Sequence, residues 1–329
     1  MFNVALLSRW HCHGLCNRYV DDLKKIPDAK IIAVWDEVPE RGKKWADELG
    51  VKFVADLDEL LVDPELNGVV ITAPTDMHHD IIMKCAKARK HIFTEKAFAL
   101  DNTDACEMRE EIKKDDITFR IAFPRRSNPE YVCAKKLYRE GVLGEISLMR
   151  VRNGFDVRNI GGMPDYWLRK EHTGGGVMID LGCHLVDLVC DLIGKRPETA
   201  LAVFTNLRGN ETEDGAVGVL TFDGRKTAAI IDTTLNSPPR EIYTLEIYGT
   251  KANFLARDGK VEISYLDRRP DEVIPFRELK GDKSPIEKWV EEANGVRFYG
   301  DCNADTAVLL TEVMTALYRS DAERREIMI

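Results

Sequence analysis

The first 122 residues alternate short apolar runs with amphipathic stretches, and no other feature constrains the fold as strongly. "NVALL" (3–7), "KIIAVWD" (30–36), "KFVAD" (52–56), "NGVVITAP" (67–74), "HIFTEKA" (91–97) and "ITFRIAFPRR" (117–126) are β-prone. Between them lie a helix-compatible segment through Lys25, "PERGKKWADELG" (39–50), "DLDELLVDP" (56–64) and "HHDIIMKCAKARK" (78–90). Pro39 suits a helix start and Gly50 a helix stop. Strands alternating with helices specify a parallel sheet covered on both faces.

The pattern changes near residue 120. After a helical segment at 128–144, long β-like runs follow: "ISLMRVRNG", "ETALAVFTNLRG", "GAVGVLTFDGRKTAAIIDTT" and "REIYTLEIYGTKANFLARDGKVEISY". Their Gly and Asn turns point to a mostly antiparallel sheet. Helices are expected at 180–194 and 303–322. A chain of 329 residues exceeds what one core usually serves. The expected division is a parallel-sheet domain at 1–122, suited to a dinucleotide, and an α/β domain at 123–329 for substrate binding and oligomerisation.

The net charge of −9 gives no broad attraction to phosphate backbones, so no nucleic-acid partner is expected. No apolar run approaches the ~18 residues of a membrane span. The start "MFNVALL" lacks the features of a signal peptide. The eight cysteines include no CxxC pair, which suits reduced thiols and a cytoplasmic protein.

The first βα turn, "LLSRWHCHG" (6–14), puts Ser8, Trp10 and His13 where a dinucleotide fingerprint has its three glycines. Serine can still turn the chain, and helix N-terminal amides still attract phosphate. Arg9 can add a charge-assisted contact, while Trp10 must point away from the phosphates. Asp36 ends the second strand, where an acid takes the adenosine ribose and opposes a 2′-phosphate, favouring NAD over NADP. Thr72, Pro74 and His78 follow one strand, and Glu95 and Lys96 end another. In "TGGGVMIDLGCHLVDLVCDLIG" (173–194) the glycines allow a close backbone approach. Asp180 and His184 are four apart on one helix face, continued by Asp187. A carboxylate beside an imidazole is an acid–base arrangement near neutral pH. "HCHGLC" (11–16) offers metal donors, but the second pair of a structural zinc site is missing, so no metal is expected.

"TEKAFAL", "AFPRRSNPEY", "YWLRKEHTGGGVMIDLGCHLVDL" and "LEIYGTKANF" together resemble the Gfo/Idh/MocA oxidoreductases, the family of glucose–fructose oxidoreductase and inositol dehydrogenase. The resemblance implies an N-terminal Rossmann domain and a C-terminal α/β domain with a large, mostly antiparallel sheet. It implies hydride transfer between a secondary hydroxyl of a sugar or polyol and NAD, in a homodimer or homotetramer. The family's lysine, aspartate and histidine fall on Lys96, Asp180 and His184, which are expected to meet at one crevice. His184 would take the hydroxyl proton, Asp180 would orient it or bind substrate, and Lys96 would stabilise the alkoxide. Arg126, Trp167 and Arg169 would line the substrate pocket. The chain departs from the family at the glycine-less turn, at Ala97 for the proline of the EKP strand end, and at Pro124 for an asparagine. Two alternatives remain: a non-redox sugar-binding or regulatory protein, and bound NAD assisting a non-redox step such as glycoside cleavage.

Overall fold

The computed structural model describes residues 1–10, 15–156, 165–237 and 242–329. They form two compact units, 1–123 with 283–311 and 124–282 with 312–329.

In the first unit β1 (Phe2–Leu7), β2 (Ala29–Trp35), β3 (Lys52–Phe53), β4 (Gly68–Ile71), β5 (His91–Thr94) and β6 (Phe119–Ile121) form a parallel sheet in the order 3-2-1-4-5-6. β4 is buried throughout and β1 nearly so, as strands covered on both faces must be. The crossovers carry α1 (Leu15–Lys25), α2 (Pro39–Leu49), α3 (Leu57–Leu61), α4 (His78–Lys87) and α5 (Asn102–Ile112). Asp56 and Asp101 cap α3 and α5 by accepting two backbone N–H bonds each. The Ser8 N–H donates to the Trp35 carbonyl, Thr72 to Leu7 and Glu95 to Ile71. Ser8, Thr72 and Glu95, with Asp36, therefore form one row along the sheet's carboxyl edge.

The second unit begins with α6 (Pro129–Arg139) and β7 (Ile146–Gly154). A short helix α7 (Lys170–Thr173) precedes a five-residue π turn (Met178–Gly182) that runs into α8 (Cys183–Ile193). The expected helix at 180 thus becomes α-helical only at Cys183. Then come β8 (Thr199–Thr205), β9 (Gly215–Phe222), β10 (Thr227–Thr234), β11 (Ile242–Gly249), β12 (Ala252–Arg257), β13 (Lys260–Tyr265) and β14 (Glu272–Pro275). With the terminal β15 (Ile327–Met328) they make a nine-stranded sheet in the order 14-13-12-11-7-10-9-8-15. β7 and β10 run parallel and the other described pairs antiparallel. Alternation along β7 turns Met149, Val151 and Asn153 to the buried face, against which the π turn and α8 pack, and Arg150 and Arg152 to the other.

The chain then returns to the first unit through α9 (Pro285–Ala293), capped by Ser284. The buried Trp289 meets the rings of Phe2 at 5.2 Å and Phe93 at 5.9 Å. This return was not anticipated from sequence; Ile286, Trp289 and Val290 give α9 an apolar stripe that belongs to the first core. α10 (Ala304–Glu323) begins in the first unit and ends in the second.

Candidate active site

The turn after β1 is built without glycine. Ser8 is fully buried and takes φ = 69°, the left-handed conformation that favours glycine. Its hydroxyl accepts the Trp10 N–H at 3.1 Å, and its carbonyl accepts the Thr72 hydroxyl at 2.6 Å. Local hydrogen bonds hold the serine in this conformation. The Trp10 ring lies toward α2, 5.7 Å from the Arg41 guanidinium carbon. Arg9 pairs with Glu48 at 2.7 Å and approaches the Trp45 ring, so its guanidinium is engaged with α2 rather than held ready for a phosphate. His13 and most of the "HCHGLC" stretch lie outside the described residues.

Asp36 is enclosed. Its carboxylate accepts the Arg9 and Val38 N–H groups at 2.9 and 2.8 Å and a two-pronged contact from Arg41. Thr72 is a latch, donating to Ser8 and accepting from the Cys16 thiol at 3.3 Å. Pro74 is buried ahead of the turn at Thr75–Met77. The expectation that His78 binds cofactor needs correction. Its ring is fully buried, with the two nitrogens 3.1 and 3.2 Å from the carbonyl oxygens of Ala73 and Phe98. Burial lowers its pKa against the pull of these carbonyls, and the ring is enclosed by the fold. Glu95 accepts the Tyr19 hydroxyl on one oxygen and the Lys96 N–H at 3.1 Å on the other. Lys96 is buried beside it, and the Lys96–Ala97 peptide is cis.

In the second unit the glycines of "TGGG" allow a close approach to Glu213 and Tyr318 of the same unit. A Cβ at Gly176 would lie 2.1 Å from the Glu213 carbonyl oxygen, and one at Gly175 1.9 Å from the Tyr318 hydroxyl. Glu213 accepts the N–H groups of Gly176 and Met178 at 2.9 and 3.0 Å and the Tyr318 hydroxyl at 2.6 Å. The close approach is to this clamp, which fixes the start of the π turn. The turn carries Asp180, and His184 stands one residue into α8; both are half-buried. A π turn is costly and recurs at functional sites.

Arg126 is a correction as well. It is buried, with a two-pronged bond to Asp187 and a contact to Asp191 at 2.8 Å. Tyr131 and Lys135 also reach Asp191, each at 2.5 Å. A guanidinium with both carboxylates in place anchors α8 and is not presented to a substrate. Asp187 is the other half of this anchor. Trp167 is half-buried in the turn Asp165–Leu168, and Arg169 is exposed at the start of α7.

Sequence reasoning missed a polar row on the inner face of the nine-stranded sheet. Asn153 of β7, Thr233 of β10 and Tyr243 of β11 are register partners. Asn153 and Thr233 are buried, yet the Asn153 amide and the Thr233 hydroxyl meet no hydrogen-bond partner among the described residues. Buried polar groups are nearly always paired, so such a pair marks a place for an external partner. Alternation along β7 was the available signal, since an asparagine falls on the apolar face after Met149 and Val151.

A parallel sheet in the 3-2-1-4-5-6 order with a row of polar groups at its carboxyl edge defines a Rossmann-type dinucleotide-binding protein. Residues 15–123 match the model described as "Oxidoreductase family, NAD-binding Rossmann fold", and residues 131–255 match the GFO/IDH/MocA C-terminal domain. The chain belongs to the Gfo/Idh/MocA oxidoreductase family, and it is an NAD-dependent oxidoreductase. It is 28% identical to myo-inositol 2-dehydrogenase of Thermotoga maritima over 72% of this chain and 71% of that protein. Inositol 2-dehydrogenase of Rhizobium meliloti is 25% identical over 92% of each. The solved structure of levoglucosan dehydrogenase in complex with NADH and levoglucosan, 20% identical, covers 100% of this chain and 99% of its own with a TM-score of 0.85, and shows the same fold. The edge residues fit the cofactor on one further observation. At the end of β2 a buried carboxylate oxygen, Glu37 Oε2, has no donor among the described residues.

Proposed function

We propose that this enzyme transfers hydride between a secondary hydroxyl of a sugar or polyol and NAD. The observation that carries this reading is the Asn153 amide and the Thr233 hydroxyl, which meet no partner among the described residues, on strands against which the turn bearing Asp180 packs. A polyhydroxyl ligand offers both donors and acceptors to such groups. The printed names of the inositol and levoglucosan dehydrogenases support the same substrate class.

The first unit is assigned to the dinucleotide and the second to the substrate. NAD supplies the hydride acceptor when bound. Ser8, Thr72 and Glu95 shape the edge it meets, with Trp10 beside the adenosine end. His184 takes the hydroxyl proton, Asp180 orients the imidazole, and the Lys96 ammonium steadies the negative charge that develops on the oxygen. Trp167 and Arg169 flank the substrate. Screening NAD reduction over sugars and polyols, then measuring His184→Ala and Lys96→Ala, tests the assignment. Each variant is expected to lower kcat by roughly 10²–10⁴ with little change in NADH affinity. Alcohol oxidation should also fall as acid protonates the base. Sugar binding without NADH formation would favour the non-redox alternative.

The enzyme is assigned to the cytoplasm and to a homodimer or homotetramer. No helix among the described residues is long and apolar enough to cross a membrane. The outer face of the nine-stranded sheet exposes Leu201, Val203 and Val217 by 43%, 62% and 46% beside the Arg150/Arg152–Asp232 ion pairs. An apolar strip rimmed by charge suits a second copy. Light scattering should give a multiple of 37.3 kDa, and a species of that mass alone overturns the assembly.

A further inference from the structure

Asp36 stands where an acid takes the adenosine ribose, but its acceptor capacity is used up. A carboxylate offers about four lone-pair sites. Oδ1 takes the Val38 N–H at 2.8 Å and Arg41 Nη2 at 2.7 Å, while Oδ2 takes the Arg9 N–H and Arg41 Nε, both at 2.9 Å. α2 closes over it so tightly that a Cβ at Gly42 would lie 2.5 Å from the Asp36 Cβ. The side chain has 0% exposure. These contacts tie the turn after β1 to the start of α2, which is a structural task.

Glu37 is in the opposite state. The same Arg41 Nη2 donates to its Oε1, and Oε2 is buried with no donor among the described residues. The Glu37 side chain, 16% exposed, lies nearer the surface than Asp36. A buried acceptor without a donor costs free energy that a hydrogen bond from a ligand would recover. The missing donor is at the carboxyl end of the second strand, where a dinucleotide places its adenosine ribose hydroxyls.

We propose that Glu37 Oε2, and not Asp36, accepts the adenosine ribose hydroxyl, and that the Glu37 charge sets the preference for a ribose without a 2′-phosphate. Arg41 is the positioning residue, holding one carboxylate for the fold and the other for the ligand. The inference rests on the NAD-binding assignment and needs nothing from the choice of sugar.

Dissociation constants for NADH, NADPH and ADP-ribose, read by fluorescence or calorimetry together with Tm, test it without any turnover. Glu37→Gln removes the charge and keeps the shape. It should weaken NADH and ADP-ribose by roughly 10- to 100-fold, the worth of one hydrogen bond to a charged group. NADPH should weaken less or tighten, and Tm should hold. Asp36→Asn should lower Tm and weaken both dinucleotides by the same factor, leaving their ratio unchanged. The opposite pattern overturns the proposal: Asp36→Asn inverts the ratio and Glu37→Gln leaves every affinity at the wild-type value. If Asp36→Asn does not fold, Glu37→Gln decides alone, and an unchanged NADH/NADPH ratio is the overturning result. Wild-type protein that binds neither dinucleotide overturns the proposal and the NAD assignment together, whereas NADH binding with no active sugar leaves the proposal standing and removes only the substrate assignment.

Discussion

At the carboxyl edge of the parallel sheet, side chains expected to wait for a ligand already have partners. Ser8 and Thr72 bond each other's neighbourhood, Asp36 is filled by Arg9, Val38 and Arg41, and Glu95 is held by Tyr19 and the Lys96 N–H. On the inner face of the nine-stranded sheet, Asn153 and Thr233 are buried with polar atoms that meet no described partner. Glu37 Oε2 apart, the first region is a frame whose polar groups hold backbone in place. The second keeps polar capacity in reserve, which is what recognition of a hydroxylated ligand requires. A polar residue's type therefore says less about its task than whether its hydrogen bonds are complete before ligand arrives.

Arg126 gives the largest expected effect on this contrast, because it is a framework residue in the unit that also holds the reserve. Arg126→Ala would remove the two-pronged partner of the buried Asp187 and the bond to Asp191, and breaking a buried pair from one side costs about 3–5 kcal/mol. Denaturant unfolding should show that loss. A stable Arg126→Ala enzyme with a raised KM would return the residue to the substrate pocket and break the comparison.

Asn153 tests the reserve itself. Asn153→Ala should lower kcat/KM for the sugar by about 10- to 100-fold, the range for a hydrogen bond lost in the complex. Tm should hold, because no described protein partner is left unpaired. NADH affinity should also hold. A large fall in stability with unchanged kinetics would move Asn153 into the framework.

The sequence carried these two regions unequally. Strand–helix alternation exposed the parallel sheet because both periodicities are local, and Pro39 and Gly50 bounded α2 as expected. The long runs from Ile146 onward revealed the antiparallel sheet for the same reason. The return of 283–311 to the first unit was not visible, since the partners of Trp289, Phe2 and Phe93, lie far away in sequence. The glycines of "TGGG" signalled a close approach, but Glu213 and Tyr318, which require it, are equally remote. Arg126 looked available because two carboxylates one α8 turn apart, Asp187 and Asp191, carry no mark of their shared cation. Glu37 was hidden by its neighbour, because an acid at the strand end satisfied the pattern before the next residue was weighed.

The smallest expected effect concerns how a frame can dispense with glycine. Ser8 holds φ = 69°, a conformation costing a non-glycine residue about 1–2 kcal/mol. Its hydroxyl accepts the Trp10 N–H at 3.1 Å. Ser8→Gly removes the strain, but it also removes that bond and loosens the unfolded chain; each of these losses is about 0.5–1.5 kcal/mol. The terms nearly cancel, so stability should stay within about 1 kcal/mol of wild type. Ser8→Ala keeps the strain and deletes the bond, so its Tm should fall below that of Ser8→Gly. NADH affinity should survive in the glycine variant, because the turn keeps its shape. If alanine matches wild type and glycine is the less stable of the two, the hydroxyl does not hold the turn, and the frame must owe its shape to the Thr72 and Trp35 contacts alone.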